Sequence, residues 1–154
     1  INMKNTSGQV TASVSVAEGQ TADGIIIAQG SRFGGWALYV EDGHPTYTYN
    51  NLGDLVTVKS RQKLSAGDSE IRLEIYYDGG GIGKGADLRL IVNDGAVATG
   101  RLETTIASRF SIDEGTDIGM DRGAPVIKRQ LNDRRYSEIN ASINKVTLEV
   151  YPEA

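Results

Sequence analysis

Apolar and polar residues alternate along most of this 154-residue chain. Val10, Ala12, Val14 and Val16 alternate with Thr11, Ser13 and Ser15. Leu38 and Val40 alternate with Tyr39 and Glu41, and Ile71, Leu73 and Ile75 with Arg72, Glu74 and Tyr76. The same holds for Leu88, Leu90 and Val92, and for Val146, Leu148 and Val150. A period of two sends successive side chains to opposite faces of an extended strand. Each run therefore offers one face to a core and one to water, as strands of antiparallel sheets do. Ile25-Ile26-Ile27 breaks the alternation and predicts a central strand covered on both faces.

Turn signals separate these runs. Asp42-Gly43, Asp94-Gly95 and Asn51-Leu52-Gly53-Asp54 are the clearest. Nineteen glycines against three prolines supply many tight turns. No window carries a capped apolar stripe at helical spacing, so low helix content is expected. Many short strands in one chain of this length predict an all-β fold, an antiparallel two-sheet sandwich. The strand pair around Asp42-Gly43 and the hairpin running from Leu88 to Asp94-Gly95 resemble those of laminin-G and concanavalin-like jelly rolls. That likeness concerns fold and not function. With no internal repeat, low-complexity segment or linker, residues 1–154 read as a single domain.

The run Tyr76-Tyr77-Asp78-Gly79-Gly80-Gly81-Ile82-Gly83-Lys84-Gly85 has the look of a phosphate cradle. Its spacing fails that test. A P-loop needs glycine, four residues, then Gly-Lys-Ser/Thr; Asp78 stands where the first glycine should be, and Gly85 where the hydroxyl residue should be. The flanks read as strands, whereas a P-loop opens a helix. The run is expected to be a glycine-rich connection between two strands, where small residues permit positive φ.

A net charge of −4 argues against nucleic acid, which demands a basic face. No apolar run approaches the roughly 18 residues of a membrane span. Zero cysteine excludes disulfides and thiolate metal sites, and leaves bacterial cytoplasm and periplasm both open. The chain begins at Ile1 rather than Met, which suits a processed protein or a fragment of a longer one.

Three groups of residues could carry chemistry. Asp113, Glu114, Asp117 and Asp121 form the densest acidic cluster. Calcium takes six to eight oxygens, and carboxylates on a glycine-rich segment could supply some. Along a straight strand, however, Asp113, Asp117 and Asp121 would stand about 13 Å apart in steps of four residues. The other reading is structural carboxylates that cap turns or pair with arginine. Arg122, Lys128, Arg129, Arg134 and Arg135 crowd the next segment, either as an anion-facing loop or as a solvated loop neutralised by the preceding acids. Trp36, Tyr39, Tyr47, Tyr49, Tyr76 and Tyr77 could stack on sugars, or could be core, since strands are rich in such residues. Phe33 and Trp36, beside Gly34-Gly35, could form an apolar contact face or lie inside. His44 is the only histidine, so no catalytic triad is supported. Asn5-Thr6-Ser7 and Asn140-Ala141-Ser142 match a glycosylation pattern that is common by chance.

Taken in order, several runs resemble one family. They are Ala22–Gly30, Arg32–Gly43, Tyr47–Asn50, Tyr76–Gly85 and Phe110–Glu114, the last leading into Asp117–Val126. This succession is similar to the C-terminal domain of bacterial arylsulfatases, which follows an alkaline-phosphatase-like catalytic domain, and the similarity runs from about Asn2 to Val150. The resemblance implies a C-terminal fragment of a longer sulfatase whose partner is the catalytic domain of the same polypeptide, with calcium in that domain and no cofactor in this chain. Sulfatases act through a formylglycine made in Cys/Ser-x-Pro-x-Arg. The residues two before Pro45, Pro125 and Pro152 are Gly43, Gly123 and Val150, so that motif is absent. The alternative expectation is a free-standing lectin-like carbohydrate-binding module.

Overall fold

The computed structural model describes residues 7–31, 34–51, 54–79, 84–103, 116–118 and 139–151. These residues form ten strands and no helix. The strands are β1 (Ser7–Val16), β2 (Gly24–Ser31), β3 (Gly34–Glu41), β4 (His44–Asn51), β5 (Asp54–Lys59), β6 (Gly67–Tyr77), β7 (Ala86–Val92), β8 (Ala96–Leu102), β9 (Thr116–Ile118) and β10 (Ser142–Tyr151).

Two five-stranded sheets result, one ordered β10-β1-β6-β7-β8 and the other β5-β4-β3-β2-β9. Every strand pair in both is antiparallel. The alternation read from the sequence is what builds the first sheet. Val10 pairs with Leu73, which pairs with Leu90, and all three are buried on the inner face. Their neighbours Gln9, Glu74 and Arg89 make the matching row on the other face.

The second sheet is covered on both faces. Trp36, Leu38, Tyr47, Tyr49 and Val58 face the first sheet in the main core. On the opposite face Ile25, Ala28, Ala37 and Tyr39 form a separate buried cluster. Thr46, Thr48 and Asn50 of β4 are buried there too. The threonine hydroxyls are used: Tyr39 Oη lies 2.8 Å from Thr48 Oγ1, which lies 3.0 Å from Thr57 Oγ1, and Thr46 Oγ1 donates to the His44 carbonyl at 2.9 Å. A threonine is tolerated inside when its hydroxyl is bonded.

The unbroken Ile25-Ile26-Ile27 run is explained by a bulge. The β2–β3 register shifts between Ile25 and Ile27, so Ile25 joins the outer cluster while Ile26 and Ile27 both enter the main core. β2 lies between β3 and β9, and its buried residues fall on both faces of the sheet.

Turn chemistry also follows the sequence. Asp42 and Gly43 both take positive φ, 48° and 87°, in the two-residue β3–β4 turn. That is the primed geometry that matches strand twist. At the far rim β5 lies over β8. Gly100 on β8 has no room for a Cβ, because Val58 Cγ2 occupies the place it would take. The sheets can close here only because position 100 lacks a side chain.

Candidate functional site

The glycine-rich run is a hairpin connection between β6 and β7, which pair from Ile71–Val92 to Tyr77–Ala86. Its base is clamped. Asp78 N–H donates to the Gly85 carbonyl at 2.9 Å, and Lys84 N–H to Tyr77 Oη at 2.9 Å. Arg101, on β8, donates from Nη1 and Nη2 to the two Asp78 oxygens at 2.8 and 2.6 Å, and from Nη1 to Asp87 at 3.2 Å. The hydrogen bonds from Arg101 hold the Asp78 carboxyl below its ordinary pKa, and the same bonds raise that of Arg101. The fork-to-carboxylate geometry is specific. It pairs Asp78 and Asp87 with Arg101 at the base of the hairpin.

The aromatic platform does not exist as read from sequence. Trp36 is 2% exposed, Tyr47 fully buried and Tyr49 6% exposed. Trp36 stacks on Tyr47 with ring centroids 6.1 Å apart, and its Nε1–H donates to Gln29 Oε1 at 3.1 Å. These three side chains face the opposing sheet, which removes them from both a sugar platform and an exposed contact face. The reason is register: Trp36 pairs with Tyr49 and Leu38 with Tyr47, on the core side of β3 and β4. Tyr39 is buried on the other face. Tyr76 is exposed, and its hydroxyl donates to Glu74 at 2.9 Å. That bond, above all, raises its pKa. Phe33 lies outside the described residues.

Tyr47 is unusual within the core. Its hydroxyl has no hydrogen-bond partner among the described residues. Burial pushes its pKa well above the ordinary tyrosine value, and Tyr49 adds to the rise. A buried unbonded hydroxyl costs stability. Tyr47→Phe is therefore expected to stabilise the domain by about 1 kcal/mol, a melting temperature roughly 2–4 °C higher by calorimetry. A lower melting temperature would show that the hydroxyl is held by a bond in the folded protein.

The charged candidates lie mostly beyond description. Asp113, Glu114 and Asp121, and Arg122, Lys128, Arg129, Arg134 and Arg135, are outside the described residues. Asp117 is in β9, whose register pairs it with Ala28 of β2. Among the described residues no three His, Cys, Asp or Glu side chains gather into a metal-holding group.

What the structure does present is a cleft that sequence reasoning missed. A space of about 670 Å³ opens between the chain leaving β5 and the edge strand β8. Lys59, Ser60, Arg61 and Gln62 form one wall, and Val97, Ala98 and Thr99 the other. The first wall is held firmly. Ser60 N–H donates to the Pro45 carbonyl at 2.9 Å, Gln62 N–H to Ser60 Oγ at 3.2 Å, and Leu64 N–H to the Gly43 carbonyl at 2.8 Å. His44 Nδ1 lies 2.9 Å from the Ser60 carbonyl, which can only accept, so this nitrogen carries the proton. His44 thus braces the wall while half-buried. The sequence did hold a signal, the alternation Lys59-Ser60-Arg61-Gln62-Lys63 after a strand. Its partner wall lies more than thirty residues away, which no local pattern can show.

No protein-family model matches the chain, and no curated protein matches it in sequence. Solved structures resemble its fold. The LG4-5 domains of the mouse laminin alpha1 chain superpose with a TM-score of 0.62 at 16% identity, over 98% of this chain and 38% of that one. The LG1-3 region of the laminin alpha2 chain gives 0.56 at 15%, over 96% of this chain and 31% of that one. The full-length tailspike protein 2 of the Escherichia coli O157:H7 bacteriophage CAB120 gives 0.52 at 14%, over 95% and 20%. Identities this low establish the fold alone: the domain is a laminin-G-like jelly roll. The chain spans well under half the length of each of these chains.

Proposed function

We propose that this chain is a non-catalytic accessory domain of an arylsulfatase-like sulfate-ester hydrolase, packed on the catalytic domain of the same polypeptide. The observation that carries this reading is the order of the resembling runs along a chain that lacks the formylglycine motif. Two of those runs coincide with turns and close approaches of the fold: the β3–β4 turn at Asp42-Gly43, and the clamped hairpin ending at Gly85. The similar solved structures each hold such a domain as one part of a longer chain, which is consistent with an accessory role.

Sulfate-ester hydrolysis needs an activated nucleophile, and the family's is made within a motif this chain lacks. The purified chain is therefore expected to release no product from a chromogenic aryl sulfate, with calcium present, beyond a heat-killed control. Turnover clearly above that control would overturn the reading.

A second reading is favoured by the cleft. A laminin-G-like sandwich with an open polar cleft suits a free-standing carbohydrate-binding module. The two differ in what accompanies the domain, and a ligand in the cleft is compatible with both.

A further inference from the structure

We propose that the cleft between the β5 exit and β8 binds a saccharide carrying an oxyanion group, sulfate or carboxylate. The inference rests on the cleft alone and not on the sulfatase reading, so either can fail without the other.

Three observations point the same way. The first is an available cation. Of the four arginines among the described residues, Arg72 pairs with Glu70, Glu74 and Asp94, Arg89 with Glu74, and Arg101 with Asp78 and Asp87. Arg61 alone has no ion pair among the described residues, and it lines the cleft. A free guanidinium fork matches the two oxygens of a carboxylate or sulfate. Lys59 adds a second cation, with one donor spent on Glu41 at 2.9 Å and others left.

The second observation is the rest of the lining. Gln62 offers an amide to sugar hydroxyls, and the edge of β8 adds Val97, 51% exposed, Ala98 and Thr99 to the lining. Mixed walls with few convergent polar groups, and a volume within roughly 300–1,000 Å³, are typical of ligand clefts. The third is rigidity. Residues 60–64 are tied to the β3–β4 turn, and the close contact of Gly100 with Val58 fixes β5 against β8 directly beside the cleft. A wall already in place loses little freedom when a ligand binds.

The chain's net charge of −4 gives no general attraction for anions, so the proposal assigns recognition to the local cations of this wall. The ligand's hydroxyls and its single anionic group would then both be required.

The test is an NMR titration of the isotope-labelled chain with four probes: a sulfated disaccharide, a uronate-containing disaccharide, the neutral disaccharide of the same backbone, and sodium sulfate. The expected result is saturable shifts of the Gln62, Ala98 and Thr99 amides with the sulfated or the uronate probe, and at most weak ones with the neutral sugar or the free ion. Which acidic sugar binds tighter identifies the oxyanion. Arg61→Ala should weaken that binding about tenfold or more, the scale of losing a bidentate charged contact. Gln62→Trp, which crowds the cleft from its first wall, should abolish it. Lys145→Ala, an exposed cation on β10, should leave it unchanged. The proposal is overturned if neither acidic sugar shifts the cleft amides, or if free sulfate binds as well as the sugars. Binding that survives both cleft substitutions overturns it too.

Discussion

Gly85→Ala is expected to destabilise the domain by about 2–3 kcal/mol, the cost of forcing volume into a closed site. A Cβ at this position would lie 2.5 Å from the Leu102 carbonyl oxygen, 2.9 Å from that of Glu103 and 2.6 Å from Arg101 Nη2. Two of these neighbours are backbone atoms and cannot swing aside as a side-chain tip can. The Gly85 carbonyl also accepts the Asp78 N–H that closes the hairpin, so a displaced residue 85 would loosen the Asp78–Arg101 clamp as well. Gly79 is the natural comparison. It has φ of 80° but nothing within 4 Å of an added Cβ, so Gly79→Ala should cost only about 1 kcal/mol of left-handed strain. Urea denaturation of both variants checks the order. If Gly85→Ala unfolds at the parent's midpoint, the close approach has been misread. A phosphate-binding loop would make a different prediction, lost ligand affinity with stability unchanged.

The second large effect lies in the first sheet. Leu73→Ala should cost about 3–4 kcal/mol, within the range of buried leucine truncations. Leu73 is fully buried at the middle of β6, with Val10 and Leu90 as its cross-strand neighbours on the core face. Strands on both sides fix the backbone, so little can collapse into the space left. Against a total of roughly 5–15 kcal/mol, such a loss brings the domain near its unfolding threshold. Arg89, on the opposite face of β7, pairs with Glu74 at 3.5 Å and is well exposed. Arg89→Ala should stay within about 0.5 kcal/mol of the parent. Equal losses for the two variants would contradict the assignment of faces.

The faces of the first sheet were legible because its outer side is polar. Strict alternation in Val10–Val16 and Ile71–Ile75 then admits one register only. The hairpin reading of Tyr76–Gly85 was legible for a different reason, since spacing and strand-like flanks ruled out a helix opening. The second sheet was harder. His44–Asn51 alternates tyrosine with threonine and asparagine, which suggests rings outside or a solvated polar face. Both faces are in fact covered, and the hydroxyls of Tyr39, Thr48 and Thr57 satisfy one another across strands. Such pairing depends on register between distant residues, which local pattern does not carry. The cleft was invisible for the same reason. Its walls come from residues 59–62 and 97–99, and only the closure of Gly100 onto Val58 brings those edges together.

The most direct test of the accessory role is to identify the polypeptide in which this domain occurs. An antibody raised against the purified chain can capture the native protein from its source, and peptide mapping by mass spectrometry can then read the captured polypeptide. The account predicts one continuous chain in which a catalytic region bearing Cys/Ser-x-Pro-x-Arg, with its formylglycine, lies N-terminal to this sandwich. A captured polypeptide containing this domain without such a region would contradict it and leave the carbohydrate-binding module as the standing reading.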